Sequence, residues 1–481
     1  MRLKKWSPLA VALVVSTAAC STDNGSGNPV VAAAPKNVIF FLGDGMGITT
    51  LTAARIYKVG EDGQLTIDTL PETGFVKTYS NDAQVTDSAP SMSAYMTGVK
   101  MNNDVISMST NTKAFTTTGA SVTPYVTSAG ESTCPATGNG SAVPTVVELA
   151  KAAGLGTGVV TTARLTHATP AAAYAHTCHR DGEYNIAAQA VPGGAGYNTA
   201  LGDGVDVLLG GTSYYWTPFP SPVSASKGRK DGRDLVAEMK AKGYTFANTR
   251  DQMLASTSGK LLGLFDQAGT QGHMSYELDR NPANEPSLSE MTAKAIDVLS
   301  KNTKGYVLVV EGGRIDHALH STNAKRALVD TVAFDDAIRT AISKVDLANT
   351  LIVVTADHDH TMVMNGYNKR TGPTTPYSAG VLGLVRDIAT GNTVLDIIGL
   401  GYTALGFGNG ESRPVARTAI DDVTAAGNDY HQEAVVPMSA GGETHGGGDV
   451  LIAAIGKGAE AVAGVMENTA VFSILKSALG L

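Results

Sequence analysis

Short apolar runs recur along the chain, separated by stretches with helical spacing. Asn37–Leu42, Thr157–Thr161, Tyr306–Val310, Leu351–Thr355 and Val450–Ile455 are apolar segments of strand length. Runs without polar alternation predict strands buried on both faces, as in a parallel sheet. A helix is predicted to begin near Ser287. Ser287 and Glu290 form a capping-box pattern, and Leu288, Met291, Ala295 and Leu299 mark one apolar face. A second helix is predicted over 324–342. The alternation of the two patterns gives an α/β fold with a large central, mostly parallel sheet sandwiched by helices. The Gly/Pro/Thr-rich stretch 365–435 lacks this order and reads as a surface insertion.

Three of the apolar runs finish alike. NVIFFLGD stops at Asp44, YVLVVE at Glu311, and LIVVTADH at Asp357 and His358. In open α/β sheets ligands bind beyond the carboxyl ends of the strands. One strand ending in Asp means little, because Asp often starts a turn or caps a helix. Three such endings point to one shared site.

The segments around these endings are rich in metal-ligand types. EGGRIDHALH offers Glu311, Asp316, His317 and His320; TADHDH offers Asp357, His358 and His360; ETHGGGD offers His445; GDGMG offers Asp44. Asp316 and His320 are four apart, so one helical turn puts them on one face. Mixed carboxylate and imidazole ligands suit zinc, and oxygen ligands alone suit magnesium. Taken singly, His317 reads as an ordinary histidine and Asp316 with His320 as an ion pair. Together these segments hold five of the chain's 10 histidines, each beside a carboxylate.

Two further segments carry reactive types. VTDSAPSMSAYMTG reads as a turn followed by a helix starting at Ser88 or Ala89. Such a helix start would present free N–H groups to a phosphate. On this segment alone Ser88 reads as a plain N-cap before it reads as a nucleophile activated by a metal. In THATPAAAYAHTCHR, Thr169 can ligate a metal and Arg180 can clamp two phosphate oxygens with its planar fork.

Composition adds the setting. The charged fraction is 17% and the formal net charge −8, with no basic cluster, which excludes a nucleic-acid-binding surface. Residues 1–19 read as an export signal: a basic MRLKKW, a short apolar PLAVALVV, then small residues before Cys20. Loss of Arg2, Lys4 and Lys5 with it would take the charge from −8 to −11. Cys20 resembles the lipid-attachment cysteine of bacterial lipoproteins, with Thr17 where that motif usually has Leu. Lipidation and plain export both stand. Residues 20–35 read as a flexible tether. Cys134 and Cys178 are then in an oxidising space, which predicts that they pair as one disulfide, with two unpaired thiols as the alternative.

Taken in order, GDGMG, TDSAPSMSAYMTG, THATPAAAYAHTCHR, VEGGRIDHALH, TADHDH and ETHGGGD resemble the alkaline phosphatase family. YELDRN, EPSLSEM and DYHQEAVVP are similar to its animal-type branch. The resemblance implies a catalytic domain over 36–481 with a crown-like insertion at 365–435, and a homodimer. It implies hydrolysis of a broad range of phosphate monoesters through a phosphoserine on Ser88. It implies zinc at Asp316, His320 and His445, and a second zinc at Asp44, Asp357 and His358. Magnesium would lie between Asp44, Thr169 and Glu311. Arg180 would grip phosphate, oriented by Asp87, while His360, His167 and His317 would stand behind the ligands. Localisation would be the periplasm or the outer membrane and cell surface. A calcium site at the Phe265 carbonyl, Asp266 and Glu285 matches in position but has an altered flank, and reads as lost.

Sulfatases of the same superfamily need Arg where this chain has Met92. Its phosphodiesterases usually carry a Thr nucleophile and lack the third metal site that Thr169 and Glu311 supply here. A non-catalytic metal- or phosphate-binding lipoprotein would need neither Ser88 nor Arg180.

Overall fold

A computed structural model describes residues 37–265 and 270–481. The expected signal, the tether, Cys20 and Asp266 lie outside the described residues. The core is a ten-stranded sheet. In chain order its strands are β1 (Asn37–Gly43), β2 (Glu72–Lys77), β3 (Gly156–Arg164), β4 (Val207–Gly211), β5 (Thr245–Ala247), β6 (Leu261–Phe265), β7 (Tyr306–Gly312), β8 (Thr350–Ala356), β9 (Val450–Gly456) and β10 (Gly464–Glu467). Across the sheet they run β10-β2-β9-β8-β1-β7-β3-β4-β6-β5. All neighbours are parallel except β9, which is antiparallel to both β8 and β2. The mostly parallel sheet read from the apolar runs is therefore present, with one reversed strand.

The central strands have no polar face because both faces are covered. Successive side chains of a strand point to opposite sides. Phe40 of β1 meets Tyr95 of helix α1 (Ser88–Thr97), with ring centroids 5.5 Å apart. Its neighbour Phe41 meets Phe334 edge-on at 5.8 Å. Phe334 belongs to the long helix α4 (Ala324–Lys344), which packs against α2 (Leu288–Leu299). The α2 capping box forms as the sequence predicts, with Ser287 and Glu290 each bonded to the other's backbone N–H. Between α2 and α4, helix α3 (Arg314–His320) follows directly on β7.

The stretch 365–435 is less irregular than its composition predicts. Met362–Met364, Leu405–Gly410 and Ala434–Pro437 form a three-stranded sheet of their own. Leu405 and Phe407 of that sheet are buried, as are Leu382 and Val385 of the same stretch, whereas Tyr377, Ile397 and Val415 are fully exposed. On the other side of the chain, Cys134 and Cys178 are joined by a disulfide. It ties the exposed hairpin Phe115–Thr118/Ser121–Pro124 region to the segment that carries Arg180.

One buried charge in α4 gives a pH test. The Asp330 carboxylate accepts the Glu277 N–H at 3.2 Å, and burial pushes its pKa up to about 8. A carboxyl whose folded pKa is raised adds stability below its unfolded pKa near 4, and that contribution is lost as pH rises toward 8. Asp330→Asn keeps the acceptor without the charge. It should match the parent near pH 4.5 and exceed it progressively up to pH 8.5, by on the order of a few kcal/mol, in urea unfolding at each pH.

Candidate active site and metal centre

Register brings the three strand-end carboxylates together. Gly43 of β1 pairs with Ala356 of β8 and with Gly312 of β7. Asp44 and Asp357 therefore emerge side by side, with Glu311 on the other flank of β1. Gly45, at φ 66°, turns the chain sharply after Asp44, and its N–H donates to Asp357 Oδ1 at 3.0 Å. A side chain there would overlap the His360 ring. The reversed strand β9 completes the site. Because it runs the other way, the segment leading into it, with His445, arrives at the same end of the sheet.

The first group of ligand types surrounds Asp316. In α3, Asp316 and His320 are one turn apart, and His320 Nε2 lies 3.2 Å from Asp316 Oδ1. His360 Nε2 lies 2.9 Å and His445 Nε2 3.5 Å from the same oxygen. His445 and His360 are register partners in a short antiparallel bridge, which fixes their relative placement. The second group is Asp44, Asp357 and His358, whose ligand atoms lie within 4.8 Å of one another.

Ser88 faces this second group. Its Oγ lies 3.2 Å from Asp44 Oδ1 and 3.3 Å from His358 Nε2, and the residue is buried. It is not the N-cap. Asp87 caps α1, accepting the Ala89 N–H at 2.7 Å, and Ser88 is the first helical residue. Its hydroxyl is thus left for other work at the positive end of the helix. The Asp87 carboxylate also accepts from Arg180 Nη1 at 2.9 Å and from the Asp104 N–H. Arg180 Nη2 donates to His167 Nε2 at 3.1 Å, so the guanidinium is held at two points.

A third group joins Asp44, Glu311 and His167, again within 4.8 Å. Thr169 Oγ1 lies 3.5 Å from Asp44 Oδ2. His167 thus stands nearer this group than a residue behind the ligands would. His317 does not join a group. Its ring packs on His273 at 4.1 Å and on His167 at 5.3 Å, and its Nδ1 accepts from Arg314.

The electrostatics of this arrangement call for cations. Asp44 and Asp357 are fully buried. Burial, reinforced by the neighbouring carboxylates, pushes both up to about 7. Glu311 is raised well above its usual range, by burial and then by Asp44. Burial would raise Asp316 as well, but the imidazoles of His320, His360 and His445 hold it well below the usual carboxylate range. Buried oxygens normally have partners. Here Asp357 Oδ2 and Glu311 Oε1 have none among the described residues. Unpartnered lone pairs beside crowded carboxylates are what metal ions would satisfy. The donor sets fit: nitrogen with carboxylate in the first two groups, mainly oxygen in the third.

Comparison with known proteins agrees with this chemistry. The alkaline phosphatase family profile matches residues 35–481. This chain belongs to the alkaline phosphatase family. It is 37% identical to an alkaline phosphatase of Gadus morhua, covering 90% of this chain and 89% of that one. It is 38% identical to the tissue-nonspecific isozyme of Homo sapiens, covering 90% and 81%. The fold matches the alkaline phosphatase of Thermus thermophilus, with TM-score 0.64, 24% identity and 94% and 93% coverage. It also matches that of the Antarctic bacterium TAB5, with TM-score 0.62, 24% identity and 93% and 98% coverage. The alkaline phosphatase activity of the chain is the metal-dependent hydrolysis of phosphate monoesters.

Some participants carried no sequence signal. Glu443 lies in ETHGGGD but was indistinguishable there from a surface acid; it is buried and bonded to His360. Thr161 donates to Glu311, and only the pairing of β3 with β7 brings them together. At the expected calcium position, Glu285 is buried, with Oε1 accepting the Ser275 N–H at 2.8 Å and Oε2 unpartnered. Phe265 ends β6, and Asp266 is outside the described residues.

Stripping metals should leave the carboxylate cluster uncompensated. Chelator-treated protein is expected to melt several degrees lower, and added zinc and magnesium should restore the midpoint by mass action. Scanning calorimetry before and after chelation checks this; an unchanged midpoint with metals demonstrably removed would refute the fit.

Proposed function

We propose that this alkaline phosphatase carries its reaction on Ser88, with Arg180 as the phosphate clamp. The single observation behind the reading is the placement of the Ser88 hydroxyl. It sits at a helix start, freed from capping by Asp87, and faces Asp44 and His358. A phosphate monoester would lie over this helix end, its oxygens held by the Arg180 fork. Asp87 keeps that fork fixed and oriented, so little is lost in ordering it on binding. Ser88 Oγ would attack phosphorus as the ester oxygen leaves with the alcohol, giving phosphoserine. Water would then break the new bond and release inorganic phosphate, returning the proton to Ser88.

Two zinc ions and one magnesium ion are proposed as the cofactors. Asp316, His320 and His445 would hold one zinc; Asp44, Asp357 and His358 the other; Asp44, Thr169 and Glu311 the magnesium, with His167 adjacent. When bound, these ions supply Lewis acidity and positive charge that lower hydroxyl pKa values and stabilise developing oxyanions. His360 is proposed as a support for Asp316 and not as a ligand. Both its nitrogens already face carboxylates, Asp316 at 2.9 Å and Glu443 at 2.6 Å.

The setting completes the proposal. The leader-like 1–19 and Cys20 support an exported enzyme of the periplasm or outer surface, lipid-anchored where Cys20 is acylated. No described helix is long and apolar enough to cross a membrane. The exposed apolar side chains Tyr377, Ile397 and Val415 support a homodimer through the crown-like insertion 365–435.

Ser88→Ala should lower kcat on an aryl phosphate by at least ~10³-fold while leaving bound metal unchanged. Arg180→Ala should instead raise KM and lower kcat/KM by about 10²-fold. Steady-state kinetics with metal analysis on each variant separates the two roles. A fully active Ser88→Ala enzyme would sink the assignment.

A further inference from the structure

The Nδ1 atoms of two site histidines meet one residue. His360 Nδ1 donates to Glu443 Oε2 at 2.6 Å, and His320 Nδ1 donates to the Glu443 carbonyl oxygen. The Glu443 N–H in turn donates to the His320 carbonyl at 3.2 Å, so the two residues clasp each other through both backbone groups. The other carboxylate oxygen, Oε1, accepts the Thr361 N–H at 2.8 Å and the Thr361 hydroxyl at 2.5 Å. The Glu443 side chain is fully buried. Two residues on, His445 pairs with His360 across a short bridge. One peptide and one carboxylate thus fix two imidazoles, while the His445 ring is held at Nδ1 by the Thr86 carbonyl, 2.7 Å away.

An acceptor opposite an imidazole nitrogen puts the proton on that nitrogen and fixes the ring's tautomer and rotation. For His320 this leaves the Nε2 lone pair pointing to Asp316 and His445. For His360 it makes the ring a donor at both ends, between Glu443 and Asp316 Oδ1. The ring is then a strut that orients the Asp316 carboxylate.

We propose that Glu443 is a positioning residue for the first metal position. Through its peptide it holds His320, and through its carboxylate and His360 it holds Asp316. It touches neither substrate nor metal and acts through these residues. The proposal rests on the assignment of Asp316, His320 and His445 to one zinc. A glutamine is not equivalent to Glu443: with its amide oxygen on the two Thr361 donors, its amide nitrogen faces His360 Nδ1, and the ring must give up that proton, accept there and meet Asp316 as a neutral donor.

The test measures zinc affinity of metal-stripped protein by competition with a chromophoric chelator, with kinetics at rising zinc alongside. Glu443→Gln should weaken one zinc equivalent by roughly 10- to 100-fold, the range found for partners behind metal ligands. Its kcat should recover at saturating zinc, which a general loss of folding would not allow. Glu443→Asp, which keeps the charge on a shorter stem, should recover part of the affinity. Unchanged zinc affinity in Glu443→Gln would overturn the proposal. Where Glu443→Gln does not fold, Thr361→Val removes one of the two Oε1 donors and leaves Glu443 in place. It should weaken the same equivalent about threefold or more, and wild-type affinity in that variant would also overturn it. His445→Ala separates the layers. Its loss of a zinc equivalent with an unaffected Glu443→Gln sinks only this proposal, whereas full zinc in His445→Ala sinks the underlying ligand assignment.

Discussion

Four carboxylates, Asp44, Glu311, Asp316 and Asp357, are buried within one small volume at the end of the sheet. Like charges at such separations repel strongly when water is excluded. Nothing among the described residues neutralises them all. Asp316 has a ring of imidazoles, but Asp44 and Asp357 are pushed to about 7, and Asp357 and Glu311 each keep an oxygen without a partner. An arrangement this costly persists only where the rest of the structure over-determines it. The parallel register of β8, β1 and β7 does that, because moving one carboxylate away would break a whole ladder of backbone bonds. The rigid sheet and the cation requirement are therefore two sides of the same constraint.

The cationic groups of the chain are distributed to suit. Arg180 is kept out of the carboxylate cluster proper. Asp87 and His167 hold it at the edge, on the side of the α1 helix start. A guanidinium placed among the metal ligands would neutralise them and forfeit the ions. Placed at the rim, it would add to the pull of bound ions on an anionic substrate, in the role proposed for it. Asp87 serves twice, as N-cap of α1 and as partner of Arg180, so the backbone position of Ser88 and the orientation of the Arg180 guanidinium are mechanically one unit.

The legible part of this protein was whatever is local in sequence. Apolar runs without alternation announced buried strands, and Asp316 with His320 announced a shared helix face. The carboxylates after β1 and β8 announced a common site because parallel strands must place their ends together. The alkaline phosphatase resemblance then supplied roles for residues that spacing alone left open. What stayed hidden depends on partners distant in the chain. The reversal of β9 follows from its connection to the segment holding His445, and an apolar run has no direction. Ser88 and Asp87 are both good N-caps by type, and only the hydrogen bond to Ala89 decides between them. The order within 365–435 centres on a small sheet whose strand residues Leu405 and Phe407 are buried, which Gly- and Thr-rich composition masks. Glu443 looked like any acid before a turn, and its burial against His360 is visible only in three dimensions.

The Cys134–Cys178 link shows how far such non-local support extends. Cys178 lies in the segment that also carries Thr169 and Arg180, and its pairing with Cys134 was the expectation for an exported chain. Cys178 precedes Arg180 by two residues, and the Arg180 N–H itself donates to the Asp104 carbonyl at 2.8 Å. Asp104 in turn bonds Asp87. Arg180 is thus anchored at its backbone to the Asp104 loop, which is tied in turn to the α1 cap Asp87, and through the disulfide to the exposed hairpin region beyond. A segment that carries no ligand and no nucleophile still limits how far Arg180 can stray from Ser88. The precision of the site is a property of these cross-ties as much as of the residues that would meet the phosphate.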